Sequence, residues 1–165
     1  MGSFNLELVR QDFPIVETAV YVNHAAVGPL PRSVQAAMLA QSQIHMLQPG
    51  AAWNITRAKY EEGRKLAAKL INGTAEHIAY IQNTSHGVSL VANGLPWQAG
   101  DNVVVPAQEF PSNYLVWQLL RQRGVELRHI PAPAGRLTVD DVRPLIDKRT
   151  RVVTLSHVQF YNGFQ

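Results

Sequence analysis

The sequence contains no cysteine, which rules out disulfides and thiolate metal sites and leaves the redox compartment undecided. Long apolar runs are missing too. Nothing reaches the roughly 18 consecutive apolar residues that a spanning helix needs, so a membrane is not an expected partner. The opening Met-Gly-Ser-Phe-Asn-Leu-Glu lacks a basic segment followed by an apolar one. No secretory signal is expected there, and a cytoplasmic protein is the default. Charge is sparse at 16% of residues, and the net +3 is spread along the chain without a dense run. A sequence pI near 9.4 alone does not make a nucleic-acid surface, which requires a clustered basic face. Three chemical signatures are also absent. There is no Gly-x-Gly-x-x-Gly turn for a dinucleotide, no Gly-x-x-x-x-Gly-Lys-Ser/Thr loop for a nucleoside triphosphate, and no Gly-x-Ser-x-Gly elbow. His86, His129 and His157 are too far apart in sequence to suggest a metal site.

What is present is enough apolar material for a core: 46% of 165 residues, the size of one domain or a piece of a larger one. The most informative stretch is His77–Leu95. Ile78 to Ile81 is short, apolar and β-prone, giving a predicted strand over 78–82. Asn83-Thr84-Ser85 interrupts it. Val88, Leu90, Val91 and Leu95 then recur at helical spacing. Thr84 and Ser85 fall where a helix begins, beside backbone N–H groups with no intrahelical partner and at the positive end of the helix dipole. Such a turn suits a phosphate. It is also an ordinary N-cap, since Ser and Thr are common there. Gly87 leaves room for close approach.

In chain order, residues 1–20 read as a loose arm with a short helix. Tyr21–Asn23 is a short strand candidate, followed by a small-residue loop, His24–Pro29. A helix opens at Pro31 and stops near Leu47 before Pro49-Gly50. A second, capped by Asn54 or Thr56, runs to about Ile71, where Asn72-Gly73 makes a left-handed end. Strands are expected at 102–106, 126–130 and 152–156. The helices between them open at Pro111-Ser112 and at Thr138; the first is capped by Gly124 and the second ends near Lys148. Thr138 and Asp141 approximate a capping box.

Strands alternating with helices from about residue 77 predict an α/β fold, a mainly parallel sheet with helices on both faces. Ligands of such sheets bind outside the C-terminal strand ends. Three loops leave those ends: Asn83–Ser85, Gln108–Phe110 and His157–Phe160. A phosphorylated aromatic cofactor fits this set, with its phosphate on Thr84 and Ser85 and a ring face offered by Phe110. Phe110 reads equally as a residue tucked under a helix.

Four segments together carry a resemblance. Tyr21–Pro31 (YVNHAAVGPLP), Asn83–Asn93 (NTSHGVSLVAN), Glu109–Trp117 (EFPSNYLVW) and Arg149–Gly163 (RTRVVTLSHVQFYNG) are similar, in this order, to the N-terminal part of class V aminotransferases. These are enzymes that use pyridoxal 5'-phosphate (PLP) on fold type I, the aspartate aminotransferase-like fold. Cysteine desulfurases, selenocysteine lyases, isopenicillin N epimerase-like proteins and kynureninase are among them. The resemblance implies a three-layer α/β/α large domain, incomplete here, with residues 1–20 as an arm and 21–165 as the N-terminal part of the cofactor domain. It implies that Thr84 and Ser85 bind the PLP phosphate, that Phe110 stacks on the ring, and that Phe160 lies near the cofactor hydroxyl. Asn23, His24 and Ala26 would border an amino-acid substrate. It implies a homodimer when complete, and transamination, epimerisation or elimination chemistry through a Schiff base with the amino acid.

Two departures stand out. Desulfurases carry histidine where Phe110 stands and asparagine where Phe160 stands. The family's ring-nitrogen aspartate and Schiff-base lysine both fall beyond the segment matching Gln165. Lys59, Lys65, Lys69 and Lys148 all fall in predicted helices away from the strand ends. The chain is therefore expected to be a fragment, inactive alone, with unpaired sheet edges where later strands belong. The rival expectations are a non-catalytic binding or interaction module derived from that fold, and a small phosphosugar- or nucleotide-binding α/β domain.

Overall fold

The run Asn102-Val103-Val104-Val105-Pro106 is buried at every position. Apolar side chains on both faces require cover on both faces, which is the environment of a central parallel strand. In the computed structural model, which describes residues 5–132 and 135–165, this run is β1 and is the middle strand. It is flanked by β2 (Glu126–Ile130) and β3 (Thr150–Val153) in the order β2-β1-β3, both parallel to it. Asn102 faces Glu126 and Pro106 faces Ile130 in regular register. On the other side Asn102 faces Thr150 but Val103 faces Val152, so Arg151 is bulged out of the ladder. Observed strands coincide with the predicted 102–106 and 126–130. The third starts two residues before the predicted 152 and stops at Val153.

The chain divides into two compact units, Met1–Ala79 and Tyr80–Gln165. In the second, α4 (Thr84–Gly94) and α5 (Leu115–Gln118) supply Ala92 and Trp117 to a core with Val103, Val105 and Leu127. Trp97 and Trp117 meet edge to face, 6.4 Å apart. Around α5 the helix predicted after Pro111 is broken into tighter 3₁₀ turns, Pro111–Asn113 before it and Leu119–Arg123 after it. Gly124, with φ of 76°, ends that segment as expected. The Thr138–Asp141 capping box is formed and starts α6 (Val139–Val142). This helix ends well short of Lys148. Pro144 lacks the N–H that another helical turn requires, and the chain tightens to a 3₁₀ turn over Arg143–Leu145.

In the first unit, α1 (Leu6–Asp12), α2 (Arg32–Leu47) and α3 (Pro49–Leu70) follow one another. The predicted start of α3 at Asn54 or Thr56 is too late. Pro49 both ends α2 and opens α3, because its missing N–H costs nothing in a first turn. Asn72 takes the left-handed conformation (φ 54°) expected of the cap. The arm is not loose. Asp12 accepts hydrogen bonds from the Ser33 N–H (2.8 Å) and hydroxyl, and Arg32 pairs with Glu17 at 2.8 Å. These donors hold the Asp12 carboxyl below its usual range.

Two predicted strands are absent among the described residues. Tyr21–Asn23 forms no strand; the Tyr21 hydroxyl instead donates to the Val27 carbonyl at 2.7 Å and closes the loop on itself. Residues 78–82 pair with no strand, and the division between the two units runs through them. An apolar run becomes a strand only where a ladder partner lies beside it, and none does here. No helix among the described residues is long and apolar enough to cross a membrane.

Candidate functional site

The sheet has two unlike ends. At the N-terminal end, Arg128 of β2 donates to Glu126, to Asp147 (2.8 Å) and to the Leu145 carbonyl. Asp147 also accepts from the Arg149 N–H and from the Asn102 side chain. The hydrogen bond from Arg128 is the main reason why the Asp147 carboxyl is held down to about 2. The same carboxylates hold Arg128 above its usual range. This cluster is a brace: each of its charges is engaged within it.

At the C-terminal end, the loops after β1 and β3 meet. Glu109, buried, folds back so that its Oε1 accepts the Phe110 N–H (2.8 Å) and the Ser156 hydroxyl (2.6 Å). Its Oε2 accepts the Ser156 N–H (2.7 Å). Thr154 donates to Asn113 Oδ1 at 2.6 Å, which ties β3 to the turn after Phe110. Above these bonds the Phe110 and Phe160 rings meet edge to face at 5.1 Å, each about half exposed. Gln159 is buried beside Phe160 in the chain, and its Oε1 finds no hydrogen-bond donor among the described residues.

Helix α4 packs against the Pro111–Asn113 turn, which follows Phe110 directly. Its N-cap is Asn83, whose side chain accepts from the His86 N–H at 2.9 Å. Among the described residues the Asn83 side chain takes only that donor, and its carbonyl takes the Gly87 N–H. Thr84 and Ser85, the first two helical residues, are exposed, and among the described residues no hydrogen bond engages either hydroxyl. At Gly87 the close approach comes from the preceding segment: a Cβ there would meet the tip of the Ile81 side chain, Cδ1 at 2.5 Å, which a rotation of that side chain would relieve.

Of the residues singled out in sequence, Thr84, Ser85, Phe110 and Phe160 therefore belong to one unit, and Phe110 and Phe160 touch. The loops after β1 and β3 converge as expected, whereas Asn83–Ser85 leaves no sheet strand. Asn23, His24 and Ala26 belong to the other unit. There His24 packs edge to face on Tyr21 (5.3 Å) and the Asn23 carbonyl accepts from Ala26 N–H. Glu109, Asn113, Thr154 and Ser156 were not singled out. Lys148 is not helical: it lies in the turn before β3, at the opposite end of the sheet from Phe110. No group of His, Asp and Glu among the described residues could hold a metal ion.

A model of the class-V aminotransferases matches residues 20–164. The chain belongs to that family. Among class-V relatives, a probable cysteine desulfurase of Methanothermobacter thermautotrophicus is 37% identical over 92% of this chain and 39% of its own length. A cysteine desulfurase of Salmonella typhimurium is 34% identical over 94% of this chain and 42% of its own. The crystal structure of the cysteine desulfurase CsdA from Escherichia coli superposes with a TM-score of 0.79 at 28% identity, over 98% of this chain and 43% of that one. A cystine C–S lyase, C-DES, solved with cysteine persulfide, has the same fold at TM-score 0.84 and 24% identity, with 92% of this chain and 42% of that one covered. The chain thus spans about two fifths of the length of these relatives.

Proposed function

We propose that residues 80–165 form the phosphate- and ring-holding part of a PLP-dependent enzyme that acts on an amino acid. The carrying observation is the start of α4. Two hydroxyls with no hydrogen-bond partner among the described residues stand at the positive end of an eleven-residue helix, and that helix packs against the turn following a half-exposed aromatic ring. Helix N–H groups and hydroxyls suit a phosphate dianion, and a half-exposed phenyl face suits a pyridine ring. The residues present fit the group.

In this reading Thr84 and Ser85 donate to the phosphate and anchor the cofactor. Phe110 covers one face of its ring. Phe160 buttresses Phe110 and keeps water from that side. PLP, when bound, supplies an electron sink for bonds broken at the amino acid's α-carbon.

Three of the named relatives are desulfurases, but Phe110 and Phe160 offer no group that gives or takes a proton. This favours transamination, epimerisation or elimination in which proton transfer comes from elsewhere. The complete protein would work as a cytoplasmic homodimer.

The lysine that the chemistry requires is not one of these four. Lys59, Lys65 and Lys69 lie on α3, and Lys148 lies at the wrong end of the sheet. Imine formation needs a partly desolvated amine held at the aldehyde carbon of a fixed ring. Incubating the 165-residue chain with PLP and reducing with borohydride should give only low, scattered labelling. The protein at its natural length should give one labelled lysine outside these residues. Stoichiometric labelling of Lys59, Lys65, Lys69 or Lys148 would overturn the assignment. PLP retained without any labelled lysine at natural length would instead favour a non-catalytic binding module.

A further inference from the structure

Glu109 and Asp101 are the buried acidic residues among those described, and Glu109 is the one at the end of the sheet that carries the aromatic pair. Its surroundings give it a task. Loops rarely bury a carboxylate, because desolvation is costly unless hydrogen bonds compensate. Here three donors compensate, and all come from the two loops that bear the aromatic pair. One is the N–H of Phe110 itself; two are the N–H and hydroxyl of Ser156, four residues before Phe160. The loop beyond Ser156 is closed in turn. The Gln159 N–H donates to the Phe164 carbonyl and the Gly163 N–H to the Gln159 carbonyl, both at 2.8 Å. A single side chain thus fixes the backbone of Phe110 against the strand end from which Phe160 is hung. Both oxygens act only as acceptors, a role that a carboxamide cannot reproduce.

We propose that Glu109 is a positioning residue for the cofactor ring: it clamps the loops after β1 and β3 and so sets the edge-to-face geometry of Phe110 and Phe160. The proposal rests on the PLP reading for its purpose, though not for the clamp itself. Glu109→Gln is nearly isosteric, but its amide must face at least one of the N–H donors, so one side of the clamp opens. Ser156→Ala keeps the N–H bond and should loosen it less.

Both variants can be made in the protein at its natural length, with phenylalanines isotope-labelled. In the cofactor-free protein, the ring-to-ring contact of Phe110 and Phe160 should be lost in Glu109→Gln and weakened in Ser156→Ala, while the Trp117 indole signal of the core stays in place. A ring contact that persists in Glu109→Gln, or one lost only together with the Trp117 signal, overturns the clamp. With PLP loaded, Glu109→Gln should release the cofactor at least tenfold faster and change its visible circular dichroism. In a Phe110→Ala background the same substitution should add almost nothing. Full additivity would show that Glu109 acts independently of the ring, against the proposal. Failure of the unaltered protein to bind PLP would remove the functional reading, while the cofactor-free ring contact would still decide the clamp.

Discussion

The first unit carries the two longest helices, α2 and α3, yet Ala52 and Ala68 are the only residues buried in it among those described. Three strands of five residues or fewer, with α4 and α5, bury Val103, Val104, Val105, Trp117, Leu120, Val125, Leu127 and Ile130 in the second. The difference is not one of apolar content. Met38, Leu39, Leu66, Leu70 and Ile71 are apolar and exposed. It is one of how each element gets its stability. A helix satisfies its own backbone and can form from caps and propensity, leaving its apolar stripe uncovered. A strand satisfies its backbone only through neighbours, so forming it already assembles a core. Order in the first unit rests on helix backbone bonds and polar ties such as Asp12–Ser33 and Gln41–Thr56, and in the second on a shared apolar core.

Core deletions should show the largest effect. Ile130→Ala, at a fully buried position, should cost about 2–5 kcal/mol in urea unfolding, whereas Leu70→Ala, at 86% exposure, should stay within about 0.5 kcal/mol. Equal losses would mean that the α3 stripe is covered in solution, and the contrast between the units would fail. Hydrogen exchange should agree, with β1 amides protected far longer than those of α2.

Next in size is the effect on cofactor retention. Thr84→Val with Ser85→Ala removes exposed hydroxyls and should barely change stability. It should weaken PLP binding by about 1.5–3 kcal/mol, measured by equilibrium dialysis. Unchanged affinity would place the phosphate elsewhere. Phe110→Ala should weaken binding less, since stacking adds about 0.5–1.5 kcal/mol beyond the buried area.

The smallest effect concerns acid, and it should appear in the sheet unit. Asp147 has its carboxyl held down to about 2, chiefly by Arg128, against about 3.9 when unfolded. A depressed carboxylate stabilises the fold above the unfolded value, and that contribution is lost as pH falls through the folded one. Stability should therefore decline between about pH 4 and pH 2. In Asp147→Asn this part of the acid limb should flatten, as followed by tryptophan fluorescence.

How far the sequence discloses this depends on the range of the interaction involved. Val103–Val105, Asn72, Gly124 and the Thr138–Asp141 box were all legible, because a run, a cap or a turn is decided within a few residues. That Thr84 and Ser85 open a helix and that Phe110 ends the loop before a proline turn was legible for the same reason, as a matter of element boundaries. The strand expected at 78–82 was misread because an apolar run does not say whether a partner strand will lie beside it. Pro49 was read as a stop when it is also a start. Pro144 was not weighed as a stop at all. Glu109 could not be found from its neighbourhood, since its partner Ser156 is 47 residues away. The hint available was an acidic residue between an all-apolar strand and an aromatic.

The parallel order β2-β1-β3 also bears on how the unit assembles. β3 lies about twice as far along the chain from β1 as β2 does. Doubling a closing loop adds only about 0.6 kcal/mol of entropy, so distance alone does not decide which strand docks first. Ladder length does more, with five aligned pairs for β2 against three interrupted ones for β3. The β1–β2 pair is thus the natural nucleus. β3 has the shorter ladder and is fastened at one end by Asp147 and at the other by Glu109, so the aromatic pair, one ring of which follows β3, is complete only when that strand is seated.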